Sequence, residues 1–100
     1  MEPVYRKTGK ENLLARSIKL LDLVSYQEGA VVSREIISAK TGTCSLFAFD
    51  KGQGLSEHTA PFEAIVYCLE GEVKVTISGK PVHLKEGEMV IMPAHEPHAL

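Results

Sequence analysis

Residues 64–93 read AIVYCLEGEVKVTISGKPVHLKEGEMVIMP, and this stretch decides the fold class. Val73-Lys74-Val75-Thr76-Ile77-Ser78 alternates apolar and polar side chains, the mark of a strand with one wet face. Ser78-Gly79-Lys80-Pro81 offers a glycine for a positive φ, which predicts a tight hairpin turn at Gly79-Lys80. Val82-His83-Leu84 alternates on the return strand, so His83 is expected to face outward and to lie outside any site. Lys85-Glu86-Gly87-Glu88 turns again, and Met89-Val90-Ile91-Met92 is a buried-type run stopped by Pro93. At the start of the stretch, Ala64 to Leu69 is a strand closed by Glu70-Gly71-Glu72.

The same rhythm extends upstream. Thr43 to Phe49 is a β-type run closed by the turn cluster Asp50-Lys51-Gly52-Gln53-Gly54, and Val31 to Ile37 is rich in β-branched residues. Short strands with turns every 8–12 residues or so predict an all-β sandwich or barrel. Residues 1–28 read differently, charged at first and then leucine-rich. There the pattern predicts a short strand near 17–20 and a helical turn at 21–25. The expected organisation is an N-terminal arm over residues 1–29, packed on its own domain or on a second subunit, and a barrel over 30–100.

The chain has 100 residues and a formal net charge of −2. That length suits one core. The near-neutral balance gives no basic patch for nucleic acid or an anionic membrane. No aliphatic run approaches the ~20 residues of a membrane helix. The charged start has no apolar signal core, so a cytoplasmic location is expected. Cys44 and Cys68 belong to no CxxC pair and read as two free thiols in a reducing compartment. The leucine-rich arm and the two-sided apolar strand at 64–69 would leave a monomer with a large exposed patch, so a homodimer is expected.

Of the four histidines, His58, His95 and His98 fall at strand ends, where the mouth of a barrel gathers sites. Their spacing resembles that of the cupin superfamily. Gly52-(5)-His58-x-Ala60-(3)-Ala64-(6)-Gly71 is similar to the first cupin motif, which has Gly, five residues, His-x-His, three or four residues, Glu, six residues, Gly. After fifteen intervening residues, Gly87-(5)-Pro93-x-His95-(2)-His98 is similar to the second, which has Gly, five residues, Pro-x-Gly, two residues, His. The resemblance covers residues 30–100 and implies a jelly-roll β-barrel, a double-stranded sandwich. Cupins usually carry a further strand past this point; an arm from a neighbouring subunit is one way to fill that gap, and the sequence does not say what replaces it.

In cupins, two histidines and the glutamate of the first motif, with the histidine of the second, bind one metal. The resemblance carries this ligand role to His58 and His98 only. Ala60 stands at the second histidine position and Ala64 at the glutamate position, and alanine has no donor atom. His95 stands where the family has glycine. A third ligand would have to come from Glu63 or His95. Such a site would take a divalent ion (Zn, Ni, Fe or Mn); with two ligands missing, the primary expectation is no metal. Ala60, Ala64, Val66 and Cys68 share the parity of the metal-facing positions, so with His58 and His98 they outline a small apolar pocket. The expected function is a cupin-domain protein that binds a small molecule there. The alternatives are a metal-dependent dioxygenase, isomerase or decarboxylase with a reduced ligand set, and a metal-free enzyme using His58 or His98 as acid or base. The fold does not choose among them.

Overall fold

A computed structural model describes the chain over residues 4–7, as backbone, and 13–100. The described residues are all-β apart from one short 3-10 turn, as the strand rhythm predicts. None of their helices is long and apolar enough to cross a membrane. Contacts divide the chain into two compact units, Met1–Gln53 and Gly54–Leu100.

The first unit is a three-stranded sheet of order β1-β2-β3, made of β1 (Val4–Lys7), β2 (Val31–Ala39) and β3 (Gly42–Phe49). β1 runs parallel to β2, and β2 and β3 form an antiparallel hairpin. The register slips between Glu35 and Ile37, so Ile36 is an extra residue, a bulge that bends the hairpin. Val31, Val32, Leu46 and Ala48 are buried. A turn precedes β2, where Gly29 at φ 68 donates its N–H to the Asp50 carboxylate at 2.7 Å.

In the leucine-rich arm the expected helical turn forms, slightly early and as a 3-10 turn, but the expected strand does not. No strand forms at 17–20; the chain makes a single 3-10 turn at Leu20–Leu23, closed by the Asp22 N–H on the Lys19 carbonyl at 3.0 Å. Of its leucines only Leu23 is buried, while Leu20 and Leu21 stay exposed. One turn has a single inward direction, so the i, i+3 leucine spacing had no helix long enough to use it. The strand of this region is β1 instead, which the sequence pattern does not signal.

The second unit contains β4 (Ala64–Tyr67), β5 (Glu72–Ile77), β6 (Lys80–Lys85), β7 (Met89–Met92) and β8 (His98–Ala99). β4 pairs with β7, and β5 lies between β6 and β8. Its core is Cys68, Val75, Leu84 and Met92, with Ala64, Val66, Val73, Ile77, Val82, Val90 and Leu100 packed around them. These are the inward residues that the alternation assigns. The β5–β6 turn sits one residue earlier than expected. Ser78 (φ 49) and Gly79 (φ 79) are its two central residues, and two positive φ values make a type I′ turn, whose twist matches the strands. Pro81 then lies in β6, an edge strand where a missing N–H is tolerated.

The C-terminal residues are held from both sides. His98 and Ala99 pair with Ile77 and Thr76 of β5. On the other side, His58 and His98 exchange backbone hydrogen bonds at 2.9 and 2.8 Å, and Leu55 and Leu100 exchange two at 3.1 Å. Three residue steps on one strand face two on the other, a second bulge. At its start, a Cβ on Gly54 would collide with the Leu100 carbonyl, which explains glycine there.

Candidate functional site

The bridge between residue 58 and residue 98 brings two imidazoles together. Their Nε2 atoms are 3.0 Å apart, and the rings cross edge to face at 75° with centroids at 4.3 Å. His98 is buried, at 4% exposure, while His58 is exposed. Each ring is pinned by the carbonyl two residues before it. His58 Nδ1 donates to the Ser56 carbonyl at 2.9 Å, and His98 Nδ1 donates to the Glu96 carbonyl at 3.2 Å.

These contacts fix a hydrogen count. A carbonyl oxygen only accepts, so both Nδ1 atoms carry hydrogen. The Nε2–Nε2 contact needs a third ring hydrogen, whereas two neutral imidazoles have two between them. All three contacts are made together only when the pair holds one added proton and one positive charge. Without it, two Nε2 lone pairs face each other and require a hydrogen-bond donor or another electron-pair acceptor. The pair can therefore hold a proton, take a donor from a ligand, or supply two nitrogen ligands to an ion.

Of the other candidate residues, Ala60 and Glu63 precede β4, Ala64 and Val66 lie on it, Cys68 follows it, His83 lies on β6 and His95 follows β7. Ala64 and Val66 point inward from β4 and pack, partly buried, against the core that includes Cys68. Ala60 uses its backbone, its carbonyl accepting the His95 N–H at 2.7 Å. His95 has φ 67, in the left-handed region that glycine favours and histidine tolerates better than most residues. The family's glycine at this position thus has a backbone reason, and His95 fills that place with its side chain exposed. Glu63 is exposed immediately before β4, and His83 is exposed on β6 as its alternation predicts.

The family's metal is not matched by this donor set. The Nε2 atoms of His58 and His98 converge closely enough for one ion with bonds of roughly 2.0–2.1 Å to each. Among the described residues, however, no three His, Cys, Asp or Glu side chains gather as a metal site. The two remaining ligand positions are Ala60 and Ala64. What the sequence did not disclose is the pair of carbonyls, from Ser56 and Glu96, that turns the Nε2 atoms toward each other. Two backbone acceptors leave no trace in residue identity.

Burial pushes the Cys68 thiol above its ordinary value. The Glu70 carbonyl, which its sulfur reaches at 3.6 Å, offsets part of this, and the charges of Glu86, Glu72 and Glu88 push it up further. Cys68 is therefore a neutral core residue.

Comparison with known proteins agrees with this architecture. Residues 45–100 match the family model described as a cupin domain. No curated protein matches the chain significantly. Among solved structures, a cupin 2 conserved barrel domain protein from Leptotrichia buccalis is similar with a TM-score of 0.80 and 39% identity. That match covers 82% of this chain and 39% of the Leptotrichia chain, well under half of its length. A conserved protein of unknown function from Streptococcus pyogenes is similar with a TM-score of 0.80 and 30% identity, over 85% of this chain and 75% of that one. A cupin superfamily protein from Desulfitobacterium hafniense is similar with a TM-score of 0.79 and 27% identity, over 85% and 78%. With more than half of its residues under the family model and a cupin barrel as its structural relative, this chain belongs to the cupin family.

Proposed function

We propose that this cupin-domain protein is a cytoplasmic small-molecule-binding module, with residues 30–100 as the barrel and 1–29 as its arm. The His58–His98 pair is its polar anchor, and Ala60, Ala64, Val66 and Cys68 provide its apolar side. The observation that carries the reading is the pinning of both Nδ1 atoms on backbone carbonyls, which directs both Nε2 atoms to one point. A ligand of matching chemistry is small and largely apolar, with one polar group that exchanges a hydrogen bond with an imidazole Nε2. The exposed His58 is the ring that gives way to admit it.

The second reading is a metal-dependent cupin enzyme of the dioxygenase, isomerase or decarboxylase type. The convergence of two nitrogen donors favours it, and it requires donors beyond His58 and His98. One experiment separates the two. Imidazole ¹⁵N spectra of the untagged protein are recorded with short-chain carboxylic acids, amides and alcohols, and separately with ZnCl₂. Saturable shifts of the His58 and His98 Nε2 signals with an organic compound, lost in His58→Ala, support the binding module. Response to stoichiometric Zn²⁺ alone supports the enzyme, and no response to any compound contradicts the proposal.

A further inference from the structure

The hydrogen count of the His58–His98 pair selects the head group of its ligand, a step that rests on the pair being the anchor of a small-molecule site. Both Nδ1 hydrogens are committed to the Ser56 and Glu96 carbonyls, so the neutral pair offers two lone pairs and no donor. A carboxylate brings only acceptors to that point, and an alcohol brings one donor for two lone pairs. Two kinds of head group carry enough hydrogen on one atom. A primary amide has two N–H donors, and a primary ammonium has three. At about pH 8 an ordinary imidazole is neutral and an alkylammonium is charged, so acceptor and donor meet in matching states.

Charge decides between the two. Gly54–Leu100 holds seven glutamates against three lysines, a net charge of −4 with neutral histidines, whereas the whole chain carries −2. Glu57 adjoins His58 in sequence, and Glu96 lies two residues before His98. The three lysines, Lys74, Lys80 and Lys85, all lie on β5 and β6. Lys80 comes nearest by register, one strand beyond Ile77, the partner of His98. Two strand spacings, roughly 9–10 Å, therefore separate its backbone from that of His98. The flanking carboxylates draw a cation to the pair and repel an anion. We propose that the pair takes the primary ammonium group of a small alkylamine. Its N–H groups reach both Nε2 atoms once the exposed His58 ring swings aside, and its alkyl tail lies toward the partly buried Ala64 and Val66. Its charge makes each hydrogen bond to an imidazole roughly twice as strong as that of a neutral amide.

The test is an imidazole ¹⁵N titration of the untagged protein at about pH 8 with n-butylammonium chloride, butyramide, butan-1-ol and sodium butyrate. n-Butylammonium should shift both Nε2 signals saturably, with a dissociation constant at least roughly tenfold below that of butyramide or butan-1-ol. Glu57→Gln combined with Glu96→Gln keeps both backbone carbonyls and should weaken n-butylammonium binding roughly threefold or more. NOEs from the butyl chain to the Ala64 and Val66 methyls of the unaltered protein provide a readout that needs no variant. Equal affinity for butyramide, an affinity that the two glutamine substitutions leave unchanged, or the lack of those NOEs overturns the ammonium assignment. So do saturable shifts with butyramide, butan-1-ol or butyrate and none with n-butylammonium, a result that leaves the small-molecule reading standing. Silence from all four compounds overturns both.

Discussion

His95 takes a backbone conformation that its side chain does nothing to reward. At φ 67 it occupies the left-handed region, its N–H is held by Ala60, and its ring lies in solvent. His95→Gly should therefore stabilise the protein by about 0.5–1 kcal/mol in urea unfolding, the relief of a crowded Cβ exceeding the added chain entropy. A loss of stability would show that the imidazole makes a contact that matters. The cysteines give a second prediction. Iodoacetamide should modify exposed Cys44 in the native protein and reach buried Cys68 only after unfolding. The thiol of Cys68 is raised in the fold, so its neutral form is favoured there, and that share of stability is present at low pH and lost as pH rises through the folded value. The stability difference between the parent and Cys68→Ala should accordingly shrink above about pH 8.5, read from urea midpoints. A difference constant with pH would contradict the burial of the thiol.

The strands of the second unit follow their sequence closely because alternation and burial agree there. Val75, at 0% exposure, is the inward centre of β5, and its neighbour Lys74 is exposed. Val75→Ala should cost about 2 kcal/mol in urea unfolding, and Lys74→Ala less than about 0.5 kcal/mol. Equal costs would mean that the register of β5 is misassigned. The β5–β6 turn shows where such reading slips. Gly79 marks the turn, but strand twist selects the pair Ser78-Gly79, in which a serine accepts a positive φ. The arm shows a larger failure. Leucine spacing at 18–24 fits several faces, and a single turn that buries only Leu23 satisfies few of them. β1 gave no signal, because a short parallel strand depends on its partner β2 rather than on its own alternation.

Across the whole molecule, two glycine-bounded motifs were enough to place the chain among the cupins, since glycines, proline and histidines hold turns and strand ends at fixed spacing. The same motifs showed which ligand positions are empty, because Ala60 and Ala64 have no donor atoms. They did not show that His58 and His98 meet through Nε2, which depends on the backbone bridge between them and on two carbonyls. The proposed site is thus an imidazole pair, with alanine at two of the four ligand positions of the family's metal centre. Metal analysis of untagged protein, followed by calorimetric titration with ZnCl₂ and NiCl₂, tests this most directly. The expected result is a chain purified with far less than one metal ion, with binding no tighter than two imidazoles and water provide. One tightly held divalent ion per chain, lost in His58→Ala or His98→Ala, would contradict it.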